Sequence, residues 1–90
     1  MEINQPDPFE GFKERLDSYY QWPTVFPFKF IVPIEQYYQV VELLDDSNIK
    51  KRYSAQRRFV SFTSEKKVLS SDDVINIYKI MGKIPGIITL

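Results

Sequence analysis

The chain has 90 residues with equal numbers of acidic and basic side chains, and it contains neither cysteine nor histidine. That length makes a single domain near the lower end of the usual size range, which buries only about 60–65% of its unfolded surface and so needs a core dense in large apolar groups. Its 43% hydrophobic and 16% aromatic content supplies such a core and excludes a wholly disordered chain, while the missing cysteine excludes a disulfide framework and thiolate chemistry.

The first six residues read as a loose tail. Asp7-Pro8-Phe9-Glu10 then reads as a helix start, with Asp7 as N-cap, Pro8 at the first helical position and Glu10 reaching back. Phe9, Phe12, Leu16 and Tyr19 or Tyr20 follow at helical spacing, and the helix is expected to end before Trp22-Pro23, because a residue preceding proline avoids helical angles. From Thr24 to Pro33 the chain alternates. Phe26, Phe28, Phe30 and Val32 form one apolar strand face and Lys29 and Ile31 lie on the other. Pro27 lacks an N–H and asks for a bulge or a place at the strand's start.

A second helix is expected over Ile34–Leu44, with Ile34, Tyr37, Tyr38, Val41 and Leu44 on one side. Asp45-Asp46-Ser47-Asn48 closes it as a polar loop, where two neighbouring carboxylates are conceivable as a cation site but are ordinarily just solvated. Ile49–Ser54 and Arg58–Thr63 read as two strands joined around Ala55-Gln56-Arg57, with Val60 and Phe62 sharing one face and Phe59, Ser61 and Thr63 the other. Glu65-Lys66-Lys67 reads as a polar connection. Ser70-Ser71-Asp72-Asp73 is a capping-box signature that opens a third helix with Val74, Ile77, Tyr78 and Met81 inward, and Gly82 is expected as its left-handed stop. A short last strand falls within Ile84–Leu90.

Leaving the first helix aside, the order is strand-helix-strand-strand-helix-strand. Two right-handed split βαβ units of this kind interleave into a four-stranded antiparallel sheet with both helices on one face, the ferredoxin-like α+β sandwich. Residues 1–21 are then a tail and an extra amphipathic helix, and residues 22–90 the ferredoxin-like domain. Phe28, Phe30, Val60, Phe62, Val41, Ile77 and Tyr78 are expected to be buried together.

The run Phe26-Pro27-Phe28-Lys29-Phe30-Ile31-Val32-Pro33, then Ser54 leading through Phe59-Val60-Ser61-Phe62-Thr63, then Ile77-Tyr78 and Ile84-Pro85-Gly86-Ile87, resembles the YbeD-like family of bacterial proteins. The resemblance covers about residues 22–90, and its motifs are packing and turn residues. It implies a ferredoxin-like domain close to the regulatory ACT domains, in a family of unknown function with some members encoded near lipoate-attachment enzymes. Two departures stand out. Arg57 occupies a hairpin position where many relatives have glycine, and the helix from Phe9 to Tyr20 lies outside the shared core.

Enzyme chemistry finds little material here. Without His or Cys, nucleophilic triads and most acid–base pairs lack a base, zinc sites lose their preferred ligands, and the three glycines form no phosphate loop. The expectation is a non-catalytic domain with no cofactor and no metal. No apolar run approaches the roughly 20 residues that span a bilayer, and the polar start Met1-Glu2-Ile3-Asn4 does not read as a secretory signal, so a cytoplasmic location is expected and no membrane partner.

Binding has more to work with. Residues 1–46 carry nine acids and three bases, a net of −6, and residues 47–90 carry three acids and nine bases, a net of +6. Lys50, Lys51, Arg52, Arg57, Arg58, Lys66 and Lys67 crowd around the hairpin, and Lys29, Ile31, Phe59, Ser61 and Thr63 should share the open face of the sheet. A protein partner or self-association through that face is the leading reading, giving an interaction or regulatory module. Nucleic-acid binding through Lys50, Lys51, Arg52, Arg57, Arg58, Phe59 and Lys29 is the alternative, since Phe59-Val60-Ser61-Phe62 resembles the tail of an RNA-recognition motif; Lys29, however, sits where a second stacking aromatic belongs. An ACT-like effector site is a third, but the loop Pro33-Ile34-Glu35 has no glycine to admit a ligand to the backbone. The open face is apolar enough to need cover, from the first helix, a partner or a second copy. Docking of the first helix near the hairpin would set its acids Glu10, Glu14 and Asp17 against those bases.

Overall fold

The computed structural model describes residues 9–44 and 49–90. In chain order these form α1 (Glu10–Tyr19), β1 (Thr24–Pro33), a turn of 3-10 helix (Ile34–Gln36), α2 (Tyr37–Leu44), β2 (Ile49–Tyr53), β3 (Phe59–Val68), α3 (Ser71–Met81) and β4 (Ile88–Thr89). The strands make one antiparallel sheet in the order β2-β3-β1-β4, the ferredoxin-like arrangement, with an additional helix ahead of it. The cap at Asp7 and Pro8 and the carboxylates of Asp45 and Asp46 lie outside the described residues.

The alternation in β1 decides which face is dry. Phe26, Phe28, Phe30 and Val32 are all buried, and β3 sets Val60, Phe62 and Val68 beside them. Phe30 lies opposite Phe62 in the register, with ring centroids 5.5 Å apart. Neither a bulge nor a strand end accounts for Pro27, which pairs in continuous register with Glu65. Lys29 gives its carbonyl to the Leu90 N–H on the β4 side. By alternation Pro27, two residues earlier, turns its nitrogen to that same side. There β4 reaches only Phe30 and Ile31, so the missing N–H leaves no ladder bond unmade.

Three further sequence expectations need correction. First, β3 runs on through Glu65-Lys66-Lys67 to Val68. The chain stays extended because Lys66 finds a partner on the helix side, donating from Nζ to the Leu44 carbonyl at 2.6 Å and capping the end of α2. Second, α2 buries Val40 and Leu44 with Tyr37 partly covered, while Ile34, Tyr38 and Val41 are exposed. The 3-10 turn advances the chain by about 120° per residue instead of 100°, so a stripe counted from Ile34 is out of phase with the helix that follows. Val41 is therefore not a core residue. Third, Gly82 has φ −62 and stops α3 in the right-handed region, its N–H donating to the Tyr78 carbonyl.

The start of α3 matches its signature closely. Ser70 Oγ accepts from the Asp73 N–H, and Asp73 Oδ2 accepts from the Leu69 N–H, one residue further back than a simple capping box. Val74, Ile75 and Met81 are buried, and Ile77 and Tyr78 are half-buried against the core. The Tyr78 ring meets Phe12, Phe26, Phe28 and Phe30 edge-on. Burial raises its hydroxyl pKa above the usual value.

Helix α1 docks on α3 and the start of β1, away from the hairpin. Leu16 is buried in the common core, Phe12 meets Tyr78 at 5.6 Å and Tyr20 meets Phe26 at 5.4 Å. Lys13 pairs with Asp72 at 2.9 Å, and Trp22 donates from Nε1 to Asp17. The acids of α1 thus do not face the bases of the hairpin, and apolar burial fixes the helix in place.

Candidate functional site

With all three helices on one side, the other face of the sheet is left uncovered among the described residues. The register lays it out in rows. One row crosses Arg52, Ser61, Ile31 and Ile88. The next crosses Lys50, Thr63 and Lys29, with Leu90 held beside Lys29 by its backbone bond. Phe59 and Pro33 form the row beyond. The strands place these side chains by parity alone, and the sequence repeats that parity faithfully on β1 and β3.

Phe59 is 43% exposed, Ile88 53% and Leu90 62%, although all three are large and apolar. Ile31, Phe59, Ser61 and Ile88, walled by Arg52 and Tyr53, enclose a shallow depression of about 660 Å³. Beside it a smaller one of about 220 Å³ is rimmed by Lys29, Lys50, Arg52 and Leu90. The one ion pair among the described residues is Lys13 with Asp72, on the helix side, so Lys29, Lys50 and Arg52 are without a carboxylate there. Ser61 donates its hydroxyl to the Arg52 carbonyl at 3.3 Å, which ties β2 to β3 and leaves the Arg52 guanidinium to solvent.

The structure thus brings Lys29, Lys50, Arg52 and Phe59 together and sends the other suggested residues elsewhere. Lys51 has the opposite parity and lies on the helix side, its ammonium 5.2 Å from the centre of the Tyr37 ring and 5.5 Å from that of Tyr53. Its pKa is raised, first by a hydrogen bond to the Tyr53 side chain and then by the charges of Tyr53 and Tyr37. The Tyr37 hydroxyl is raised as well, by burial, which outweighs the opposing pull of Lys51. Arg57 sits at the tip of the hairpin with its guanidinium 5.4 Å from the centre of the Tyr53 ring. Arg58 contributes backbone: its carbonyl accepts from the Ile34 N–H and its N–H donates to Ser54 Oγ.

The hairpin tip is closed around Ser54. Ser54 accepts from the Arg57 N–H and donates its own N–H to the Phe59 carbonyl, while its hydroxyl accepts from the N–H groups of Arg58 and Phe59. This is a turn closed by one residue in left-handed conformation, and that residue is Arg57, with φ 55. Left-handed geometry is what glycine adopts freely and arginine only at a cost.

Sequence reasoning missed Ile88 and Leu90 as members of the face. Their alternation with Thr89 was the available signal, but so short a strand has little periodicity to read. Among the described residues no cluster of three or more acids could hold a metal ion, and no helix is long and apolar enough to cross a membrane. No protein-family model, curated protein or solved structure matches the chain.

Proposed function

We propose that the chain is a non-catalytic interaction or regulatory domain that binds a protein partner through the open face of its sheet. The observation that carries this reading is the pairing of an apolar depression at Ile31, Phe59 and Ile88 with the unpaired cations Lys29, Lys50 and Arg52 on one uncovered surface. Apolar groups this exposed and this close together mark a surface that is covered in use. The absence of His and Cys from the sequence supports a role in binding over a role in catalysis. Membership of the YbeD-like family belongs to the same reading. It rests on the motif residues, on the ferredoxin-like sandwich that the resemblance implies and on the positive φ of Arg57, at a position where many of those relatives have glycine.

Nucleic-acid binding is the second reading, favoured by the basic row next to Phe59 and weakened because the other nearby aromatic, Tyr53, lies at the wall of the depression with its ring engaged by Lys51 and Arg57. An ACT-like effector site gains no support, since the turn after β1 is closed by Pro33 packing on Gly86. Capture of partners from the native cell with the full chain, with and without nuclease, tests the choice. A Phe59→Ser variant that melts like the parent should lose a partner that survives nuclease. Identical capture by both proteins would refute the open face as the site, and a partner lost on nuclease treatment would favour nucleic acid.

A further inference from the structure

We infer that the open face selects an acidic amphipathic segment of another protein, with carboxylates on Lys29, Lys50 and Arg52 and an apolar side chain in the depression beside Phe59. The inference rests on the open face being the binding surface and identifies the chemistry of what binds there. The charge imbalance seen along the sequence becomes, in the fold, an imbalance between two layers. The described helical segments carry seven acids and three bases, a net of −4, which becomes −2 with Lys51 and Lys66, the two bases that the sheet turns to that side. The open face, by strand parity, carries Lys29, Lys50, Arg52 and Lys67 against Glu65, a net of +3. The polarity of the molecule runs through its thickness.

That polarity discriminates among occupants. A two-fold dimer is isologous, so two open sheets meeting face to face would set +3 against +3 within a Debye length of about 8–10 Å. Such a pair repels itself at the spot where its apolar groups would need to touch. A single-stranded nucleic acid would satisfy the charge, but it gains its affinity from bases stacked on several aromatic platforms, and this face offers Phe59, with Tyr53 only at the wall of the depression and its ring already engaged by Lys51 and Arg57. The rest of the apolar surface, Ile31, Ile88 and Leu90, is aliphatic and fits a leucine- or phenylalanine-like side chain better than the plane of a base. Lys50 and Lys29 stand in one row two strands apart, about 9–10 Å. Seven residues of helix rise about 10.5 Å, so carboxylates that far apart on a helical segment laid across the strands reach both.

The test is a selection from a random dodecapeptide display library against the immobilised full chain, followed by affinity measurement and amide chemical-shift mapping of the enriched peptides. The expected result is a consensus combining Glu or Asp with one or two large apolar residues. Shifts should centre on Ile31, Arg52, Phe59, Ser61 and Ile88, with affinity lost by about tenfold or more in a Lys50→Glu/Arg52→Glu double variant that melts like the parent. Each charge is on the surface, so the variant tests recognition and not folding. Peptides that map to the open face without acidic enrichment, or that bind the double variant equally well, overturn the acidic assignment and leave the face as the site. Peptides that map elsewhere overturn both. An oligouridylate that displaces the selected peptides at lower concentration overturns the choice of protein over nucleic acid.

Discussion

Replacing Gly86 by alanine should weaken the fold more than alanine at either of the other two glycines. Gly86 has φ +76, where an L-residue costs about 1–2 kcal/mol. A Cβ built there lies 2.8 Å from Pro33 Cγ and 3.2 Å from Cδ, well inside contact distance. The obstacle cannot swing away as a flexible side chain does, because the proline ring is fused to the end of β1. Overpacking against so rigid a neighbour costs about 1–3 kcal/mol, and the reduced entropy of the unfolded chain returns about 0.4–1. The sum is a loss of about 1–4.5 kcal/mol, felt first by β4, which hangs on a two-residue ladder and the Leu90 N–H bond to Lys29. Urea denaturation followed by Trp22 fluorescence reads the global loss, and hydrogen exchange at the Leu90 amide reads detachment of β4. Gly11→Ala is the control: its added Cβ meets only the end of Arg15 at 3.5 Å in an exposed helix, so it should stabilise by about 0.5–1 kcal/mol. A Gly86→Ala protein within about 0.5 kcal/mol of the parent, with an unchanged Leu90 exchange rate, would refute the reasoning.

Other perturbations test other parts of the fold. Phe30→Ala empties the centre of the sheet between Phe62 and Tyr78 and should cost about 3–5 kcal/mol by urea melt, enough to unfold much of a small domain. Arg57→Gly relieves the left-handed strain but gives up the Tyr53 contact, so it should be near neutral, whereas Arg57→Val keeps the strain with a branched side chain and should cost about 1–2 kcal/mol by the same assay. Lys66→Met keeps the apolar stem and removes the cap on Leu44, for a loss of about 1 kcal/mol in melts of the two proteins. The pKa values of Lys13, Tyr37, Lys51 and Tyr78 are all raised in the fold. Each group therefore holds its proton more tightly folded than unfolded, and its contribution is present in full below the unfolded value near 10 and is lost as pH rises through the folded one. Denaturation at pH 9 and pH 11 should show the alkaline fall, and Tyr78→Phe should reduce it.

The sandwich itself was legible because β1 and the first half of β3 alternate with a period of two. Phe26 through Val32 and Val60 with Phe62 name the dry face before any coordinates, and the same parity names Lys29, Ile31, Phe59 and Ser61 as the open one. The face of α2 was illegible for a physical reason. In Tyr37-Tyr38-Gln39-Val40-Val41-Glu42-Leu43-Leu44 two stripes about 100° apart are both apolar, and only the preceding 3-10 turn, which periodicity does not reveal, selects Val40 over Val41. Lys66 misled in another way. Its charge reads as solvent, but its ammonium belongs to a helix end that is distant in sequence and adjacent in space. Of the basic hairpin, composition gave the cluster, but only strand parity separates Lys50 and Arg52 from Lys51, which the helix side keeps.

The placement of Pro27 bears on what the open edge of β1 offers to a neighbouring molecule. Past the short β4, the outer edge of β1 is a row of backbone groups with no strand beside it among the described residues, an invitation to sheet extension by a neighbouring molecule. An incoming strand would reach for an N–H at Pro27 and find a ring carbon instead, with Lys29 and its charge one step further along. The strand interior forfeits nothing, because the face of the ladder that Pro27 interrupts is the one its own fold leaves unused. A single imino acid thus takes one donor away from the exposed edge of β1, and a variant that restores the N–H, Pro27→Val, would gain β-propensity and an edge donor together.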